Sequence, residues 1–299
     1  PGPRRGATRQ RDAEQLRCPG QLGAAAELLD PVVETMRAAG ETNGFGYRFH
    51  LPRATALAIG GLSGDSTVVE LDECRHPSWH YLAYEHALVR AWVAATQGAV
   101  SEAVEIVLDA ADTAGDNGQL AAEVLCLQTA AQFGDHSRSR RLDELTGLVE
   151  GPRVGAAAAL CRALAHDDGD GLAKASTEFE AFGDLVAAAD AAGRAAVAYR
   201  RKDMRGSALA AAARATALAD ACGGAATPAL LAVAERLPLT GREREIAMLI
   251  GAGLSSRAIA DRLRLSIRTV EGHIYRAMAK TGVSTRAELI ALLPRRHRD

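Results

Sequence analysis

The segments LTGREREIAMLIGAGLSSRAIADRL (239–263), LSIRTVEGHIYRAMAKTGV (265–283) and STRAEL (284–289) contain the start signals of four short helices. Thr240 and Glu243 form T-x-x-E, a capping box: the hydroxyl takes a backbone N–H three residues on, and the carboxylate reaches back to the cap N–H. Gly251 and Gly253 end that helix. Ser255 opens a second, with Ile259 and Leu263 on one face, and Leu265 and Ser266 make the turn. Ser266 caps a third helix, whose Ile267, Val270, Ile274 and Met278 follow the i, i+3, i+4 rhythm of a buried stripe. After Gly282, Thr285 and Glu288 repeat the box, and Leu289, Leu292 and Leu293 give the fourth helix its apolar face. Helix, short turn and helix at this size is the plan that lays a second helix in the DNA major groove.

Charge points the same way. The chain has a net charge of −2, but residues 239–299 carry twelve Arg and Lys against six Asp and Glu, a net +6, which leaves −8 on the rest. A basic module on an acidic body is the electrostatic footprint of a nucleic-acid binder joined to a regulatory part.

Upstream the chain reads as all-α. Aromatic residues make up only 4%, and Ala, the strongest helix former, fills long stretches. Breaks near Gly61 to Asp65, Gly98, Gly134 with Asp135, Gly169 with Asp170, and Arg205 with Gly206 recur about every 35 residues, as in stacked helical hairpins. Each break is expected to be the turn inside a hairpin. Small residues flank the turns: Ala91, Trp92 and Ala94 before one and Ala103 after it, Ala163 and Ala173 about another, and Ala196, Ala198 and Tyr199 before Ala208. Leu88, Val104, Leu164 and Phe179 would fill the gaps. This pattern resembles tetratricopeptide repeats over residues 45–222, with GFGYRFHLPRATA at 44–56 fitting worst; a plain irregular helical domain is the alternative. Residues 1–44 read as a poorly defined helical segment. Residues 223–238, with ACGGAATP and Pro238, read as a linker holding at most a brief helix, and the DNA-binding domain follows at 239–299.

The three C-terminal segments closely resemble the LuxR/GerE-type helix-turn-helix family in order and spacing. The resemblance implies a transcription factor that binds double-stranded DNA as a homodimer on paired half-sites, often through its last helix, where Leu289, Leu292 and Leu293 stand. Helical repeats ahead of such a domain look like the large MalT-like regulators of actinobacteria, which carry an ATPase ahead of the repeats. No G-x-x-x-x-G-K-[ST] frame surrounds Lys174, Lys202 or Lys280, and the start at Pro1 without Met is consistent with a piece of a longer chain.

With 267, 270 and 274 facing inward, Arg268, Glu271, Gly272, Tyr275 and Ala279 occupy the outer face of the third helix and become the base-edge candidates, Glu271 and Tyr275 first among them. Arg268, Thr269, Arg276 and Lys280 flank that face, where they would meet phosphates. Ser256 and Arg257 open the second helix, and Ser266 the third, where backbone N–H groups favour an anion. His273 borders the buried stripe, and a hydrogen bond within the domain is favoured over a DNA contact. Gly272 admits two readings, close approach to DNA and tight packing inside the domain. Two departures stand out: Ala258 occupies the Glu position of the family's S-x-x-E box on the second helix, and Glu271 stands where many members carry Lys.

Other classes fit poorly. No G-x-S-x-G or H-E-x-x-H frame supports an enzyme, and no alternation of strands and helices supports a receiver domain. Cys18, Cys74, Cys126, Cys161 and Cys222 are scattered without a C-x-x-C pair, as expected of reduced thiols in a cytoplasmic protein. Cys74, His76 and His80 lack a fourth ligand, so neither metal nor cofactor is expected. No apolar run reaches the roughly 18 residues of a membrane span. The leading expectation is a DNA-binding regulator whose repeats receive a protein or small-molecule effector. The alternative is a repeat scaffold whose basic domain binds a protein partner.

Overall fold

The computed structural model describes residues 22–40, 44–234, 239–281 and 283–291, and among these it contains sixteen α-helices and no strand. The body comprises α1 (Leu22–Ala38), α2 (Phe45–Ile59), α3 (Asp65–Glu73), a 3₁₀ segment (Pro77–Leu82), α4 (Ala83–Thr96), α5 (Val100–Asp116), α6 (Leu120–Phe133), α7 (Ser139–Leu145), α8 (Pro152–Ala165), α9 (Gly169–Ala181), α10 (Leu185–Arg201), α11 (Arg205–Ala221) and α12 (Pro228–Ala234). The basic segment comprises α13 (Gly241–Gly251), α14 (Ser256–Arg262), α15 (Ile267–Thr281) and α16 (Arg286–Ala291). The fold class is therefore all-α. Among the described residues no helix is long and apolar enough to cross a membrane.

Sequence neighbours in the body pack on one another, most extensively α4 on α5, α5 on α6, α9 on α10 and α10 on α11. The sequence LVAAADAAGRAAVAYRR explains why α10 lies at the centre: with Ala at eight of its seventeen positions, other helices can approach on almost every side, and twelve of its residues are buried. α6 is covered in the same way and faces α10, joined to it by hydrogen bonds from Gln128 to Asp184 and from Gln132 to Asp190. The array also meets itself: Leu22 N–H donates to the Cys222 carbonyl at 3.0 Å, and Ala226 N–H to the Ile59 carbonyl at 2.9 Å. Residues 22–40 thus form part of the body.

Gly98 and Gly134 do close helix-to-helix turns, with φ of 93° and 101°, a left-handed backbone that side chains resist. Gly169 and Gly206 do not. They lie in the first turns of α9 and α11, and the chain reverses instead at Asp167 and Asp203, whose φ values are 47° and 55°. Further turns at Gly118, Gly151 and Gly183 separate the breaks read from the sequence.

The stretch expected to be a linker holds one brief helix, α12, as that reading allowed. Part of it rests on the body: Thr227 is buried and hydrogen-bonded to Asp190, and Ala229 lies against α10, where a Cβ at Gly193 would stand 3.2 Å from the Ala229 carbonyl oxygen. Of the expected linker, 235–238 lies outside the described residues. Cys126, Cys161 and Cys222 are free thiols; burial pushes those of Cys126 and Cys222 up to about 12 and that of Cys161 to about 11, so they stay protonated. Cys18 lies outside the described residues. Among the described residues no cluster could hold a metal ion.

Candidate nucleic-acid interface

The caps of the basic segment follow their local chemistry. Thr240 and Glu243 form the full capping box at the start of α13. Ser255 Oγ accepts from Ala258 N–H at 3.2 Å to open α14, and Ser266 Oγ accepts from Thr269 N–H at 3.0 Å to open α15. The Thr285 hydroxyl accepts from Glu288 N–H at 3.2 Å, and the Glu288 carboxylate accepts from Ser284 and Thr285 N–H at 2.8 and 3.1 Å. At α14 the reciprocal half is missing because Ala258 has no acceptor. Ala258→Glu is expected to stabilise the protein by about 0.5–1 kcal/mol, read as a higher urea midpoint, with DNA preference unchanged. A lowered midpoint would show that the carboxylate does not reach the Ser255 N–H.

α15 buries Val270, Ile274 and Ala277, with Met278 half-buried beside them. Ile267 is 48% exposed, which corrects its placement in the buried stripe: at the first position of the helix the periodicity runs past its covering neighbours. The opposite side carries Arg268, Tyr275, Arg276, Ala279 and Lys280, with Glu271 and Gly272 half-buried at its edge. Tyr275 is 71% exposed, a high value for an aromatic side chain. Arg257 and Arg268 are exposed and form no ion pair among the described residues. A Cβ at Gly272 would meet only the Arg276 guanidinium, at 3.6 Å, so tight packing does not require glycine there.

Other expected contacts are already engaged inside the domain. Glu271, expected to face bases freely, accepts two hydrogen bonds from Arg286 Nη2 at 2.6 and 2.7 Å. The Arg286 guanidinium, with help from Ser256, holds the Glu271 carboxyl below its usual range. Arg286 also donates to Ser256 Oγ at 3.1 Å, so one guanidinium ties α14, α15 and α16 together. Sequence reading missed this residue. Its only signal is a cation at the start of a boxed helix, and its partners stand 15 and 30 residues away.

Lys280, expected on phosphates, donates to both Glu243 oxygens at 3.1 and 2.8 Å, and Arg276 Nε stands 3.8 Å from the same carboxylate. Burial alone would raise the Glu243 carboxyl, but Lys280 and the Thr240 N–H and hydroxyl outweigh it and hold it low. Thr269 and Ser266 bond each other through their hydroxyls at 2.7 Å. His273 Nδ1 accepts from Arg276 Nη2 at 3.0 Å, an intradomain hydrogen bond. Leu289, expected at a dimer surface, is buried with Leu239, Ala247 and Ala277, so its apolar area is spent on the domain's own core. Leu292 and Leu293 lie outside the described residues.

The basic segment docks on the body through α13 and the end of α14. Glu245 accepts from Ser101 N–H at 2.7 Å and from Ser101 Oγ at 2.9 Å while pairing with Arg242 at 2.6 Å. Arg262 pairs with Glu102, and Arg264 with Glu105 at 3.3 Å. Gly98 permits the approach: a Cβ there would stand 2.6 Å from the Met248 Cβ. Two arginines of the basic segment are thus neutralised by α5, while the outward face of α15 stays open.

Residues 237–293 match the bacterial regulatory proteins of the luxR family. The C-terminal segment is a LuxR-family helix-turn-helix domain. A similar stretch occurs in an HTH-type transcriptional regulator of Mycobacterium bovis, 41% identical over 58 residues, which are 19% of this chain and 7% of that protein. The tetrathionate response regulatory protein TtrR of Salmonella typhimurium is 44% identical over 52 residues, 17% of this chain and 25% of that protein. A response regulator of Synechocystis is 38% identical over 55 residues, 18% of this chain and 24% of that protein. This chain thus spans a quarter or less of each of these relatives. No solved structure gives a significant match.

Proposed function

We propose that the protein is a DNA-binding transcription regulator in which α15 enters the major groove and the helical body, a tetratricopeptide-like array, receives an effector. The observation that carries this reading is the uncommitted face of α15: Arg268 and Tyr275 stand exposed about two helical turns apart, with the small Gly272 between them. Arg268 sits in the first turn, the part of a recognition helix that reaches base edges, and its guanidinium suits the paired acceptors of guanine. Arg257 stands at the start of α14, in position for a backbone phosphate. Two copies on a pseudo-palindrome would present two such faces one helical turn apart.

The test is duplex binding by the full chain across a salt series, with selection of preferred fragments from random DNA. Binding that weakens steeply with salt is expected, and Arg268→Ala should cost about 1–3 kcal/mol at the preferred site and relax one half-site position. Salt-insensitive binding, or none, would overturn the reading and favour a protein partner for the basic surface.

Gly272 provides a sharper check. Gly272→Ala should raise stability by about 1 kcal/mol, because an interior helical glycine carries that entropic cost and the new methyl meets nothing closer than Arg276 Nη1. The same variant should bind DNA more weakly if the backbone at 272 approaches the groove. A gain in stability with unchanged affinity would remove position 272 from the interface.

A further inference from the structure

A cavity of about 530 Å³ lies between the helical body and α13, within the size range of sites for small organic molecules. Val104, Phe133, Leu231 and Met248 give it apolar walls contributed by both parts of the protein. Three carboxylates also line it, and each is engaged: Glu105 by Arg264, Asp135 by the Ser137 N–H and hydroxyl, and Glu245 by Arg242 and Ser101.

Arg194 is the exception. Its Nη2 donates to the Gln132 carbonyl at 2.6 Å, but its Nε is shut off from solvent with no hydrogen-bond partner, and it forms no ion pair among the described residues. The guanidinium passes directly over Gly134, where a Cβ would come within 2.7 Å of Nη1, so the glycine leaves the room it occupies. Asp190, the acid whose field it feels most, is already bonded to Gln132 and Thr227, and burial pushes that carboxyl up to about 7. Arg194 is thus a half-buried cation that lines the cavity with no carboxylate paired to it among the described residues, and because Nε is sealed, an anion in the cavity would meet the Nη end of the guanidinium.

We propose that this cavity is the effector site and that it takes a small organic carboxylate with an apolar body, its carboxylate paired to Arg194. The proposal rests on the reading that the body receives a signal, and it names the place and the chemistry of that signal. A planar guanidinium matches a carboxylate through two parallel hydrogen bonds, and the apolar walls accept the remainder of the molecule. Because α13 supplies part of the wall, occupancy couples to how the DNA-binding domain is held on the body. Any such coupling is reciprocal: DNA must then alter affinity for the carboxylate by the same factor.

The test uses the full chain with decanoate as probe and decanamide as its uncharged counterpart, both below the concentration at which they aggregate. Decanoate is expected to bind saturably by calorimetry and to raise the melting temperature, with decanamide at least about tenfold weaker, a loss of roughly 1.4 kcal/mol. Arg194→Met, which keeps the length and removes the charge, should bind decanoate at least about tenfold more weakly without losing thermal stability. Ala232→Phe, which fills the cavity and leaves Arg194 in place, should abolish binding. Equal affinity of wild type and Arg194→Met, equal affinity for the amide, or no saturable binding up to about millimolar levels, the weak end of specific association, would overturn the proposal. Duplex binding without decanoate, measured on the same samples, reports separately on the DNA-binding reading, so failure of one is distinguished from failure of the other.

Discussion

Replacing Lys280 by Met is expected to lower the stability of the protein by about 1–3 kcal/mol, because it withdraws the main partner of a buried carboxylate. The Glu243 side chain is only 3% exposed, and Lys280 supplies two of its hydrogen bonds. What remains is the Thr240 N–H at 2.9 Å and Arg276 at 3.8 Å, too little to compensate a charge taken out of water. The sign of the pH dependence follows. A carboxyl held below its unfolded value stabilises the fold above the unfolded pKa, about 4.3 for Glu, and that contribution is lost as pH falls through the folded value. In Lys280→Met the carboxyl rises, so acid unfolding should begin at higher pH than in wild type. Urea unfolding at neutral pH and at pH 4 checks both statements. The double variant Lys280→Met with Glu243→Gln should recover most of the loss at neutral pH. If the single variant is as stable as wild type, the pair is held together by the surface and not by need.

The domain's helices were legible because capping is local. Thr240 with Glu243, Ser255, Ser266, and Thr285 with Glu288 each act within four residues, so spacing alone located them. The helical body was legible through its Ala content, since small side chains both favour helix and let α10 be covered on almost every side. What failed was whatever depended on a distant partner. Gly, Thr and Pro at 223–234 have the composition of a linker, yet Thr227 and Ala229 are buried because α10 presents Asp190 and Gly193 to them. Leu289 followed an apolar rhythm, but the rhythm could not say whether the cover came from the same domain or from a second copy. Lys280 and Glu271 were legible as charged residues of α15; which charge each would meet lay 37 and 15 residues away, on other helices. The docking pairs of Glu102 with Arg262 and Glu105 with Arg264 join residues about 160 positions apart and leave no trace in any linear pattern.

Glu271→Lys should have the largest effect on nucleic-acid binding. In the wild type one carboxylate neutralises Arg286 through two short hydrogen bonds, so two groups beside α15 contribute no net charge toward a duplex. The substitution replaces an anion by a cation and releases Arg286 as well. Two new phosphate contacts steepen the salt dependence of binding by up to about two in the logarithmic slope, since each neutralised phosphate contributes about 0.9. The cost in folding is small, because the pair is nearly half exposed and such pairs contribute about 0.2–1 kcal/mol. Affinity should therefore rise for all sequences at low salt. Discrimination between a selected site and random DNA should fall, as phosphate contacts carry no sequence information. Arg286→Ala is the counterpart: it leaves Glu271 unneutralised beside the phosphates and should weaken binding to every duplex alike. Titrations of specific and random duplexes at several salt concentrations separate the possibilities. An unchanged slope in Glu271→Lys would place this edge of α15 away from the phosphates. A new base preference at one half-site position, with the slope unchanged, would instead show that the carboxylate leaves Arg286 on binding and accepts from cytosine N4 directly.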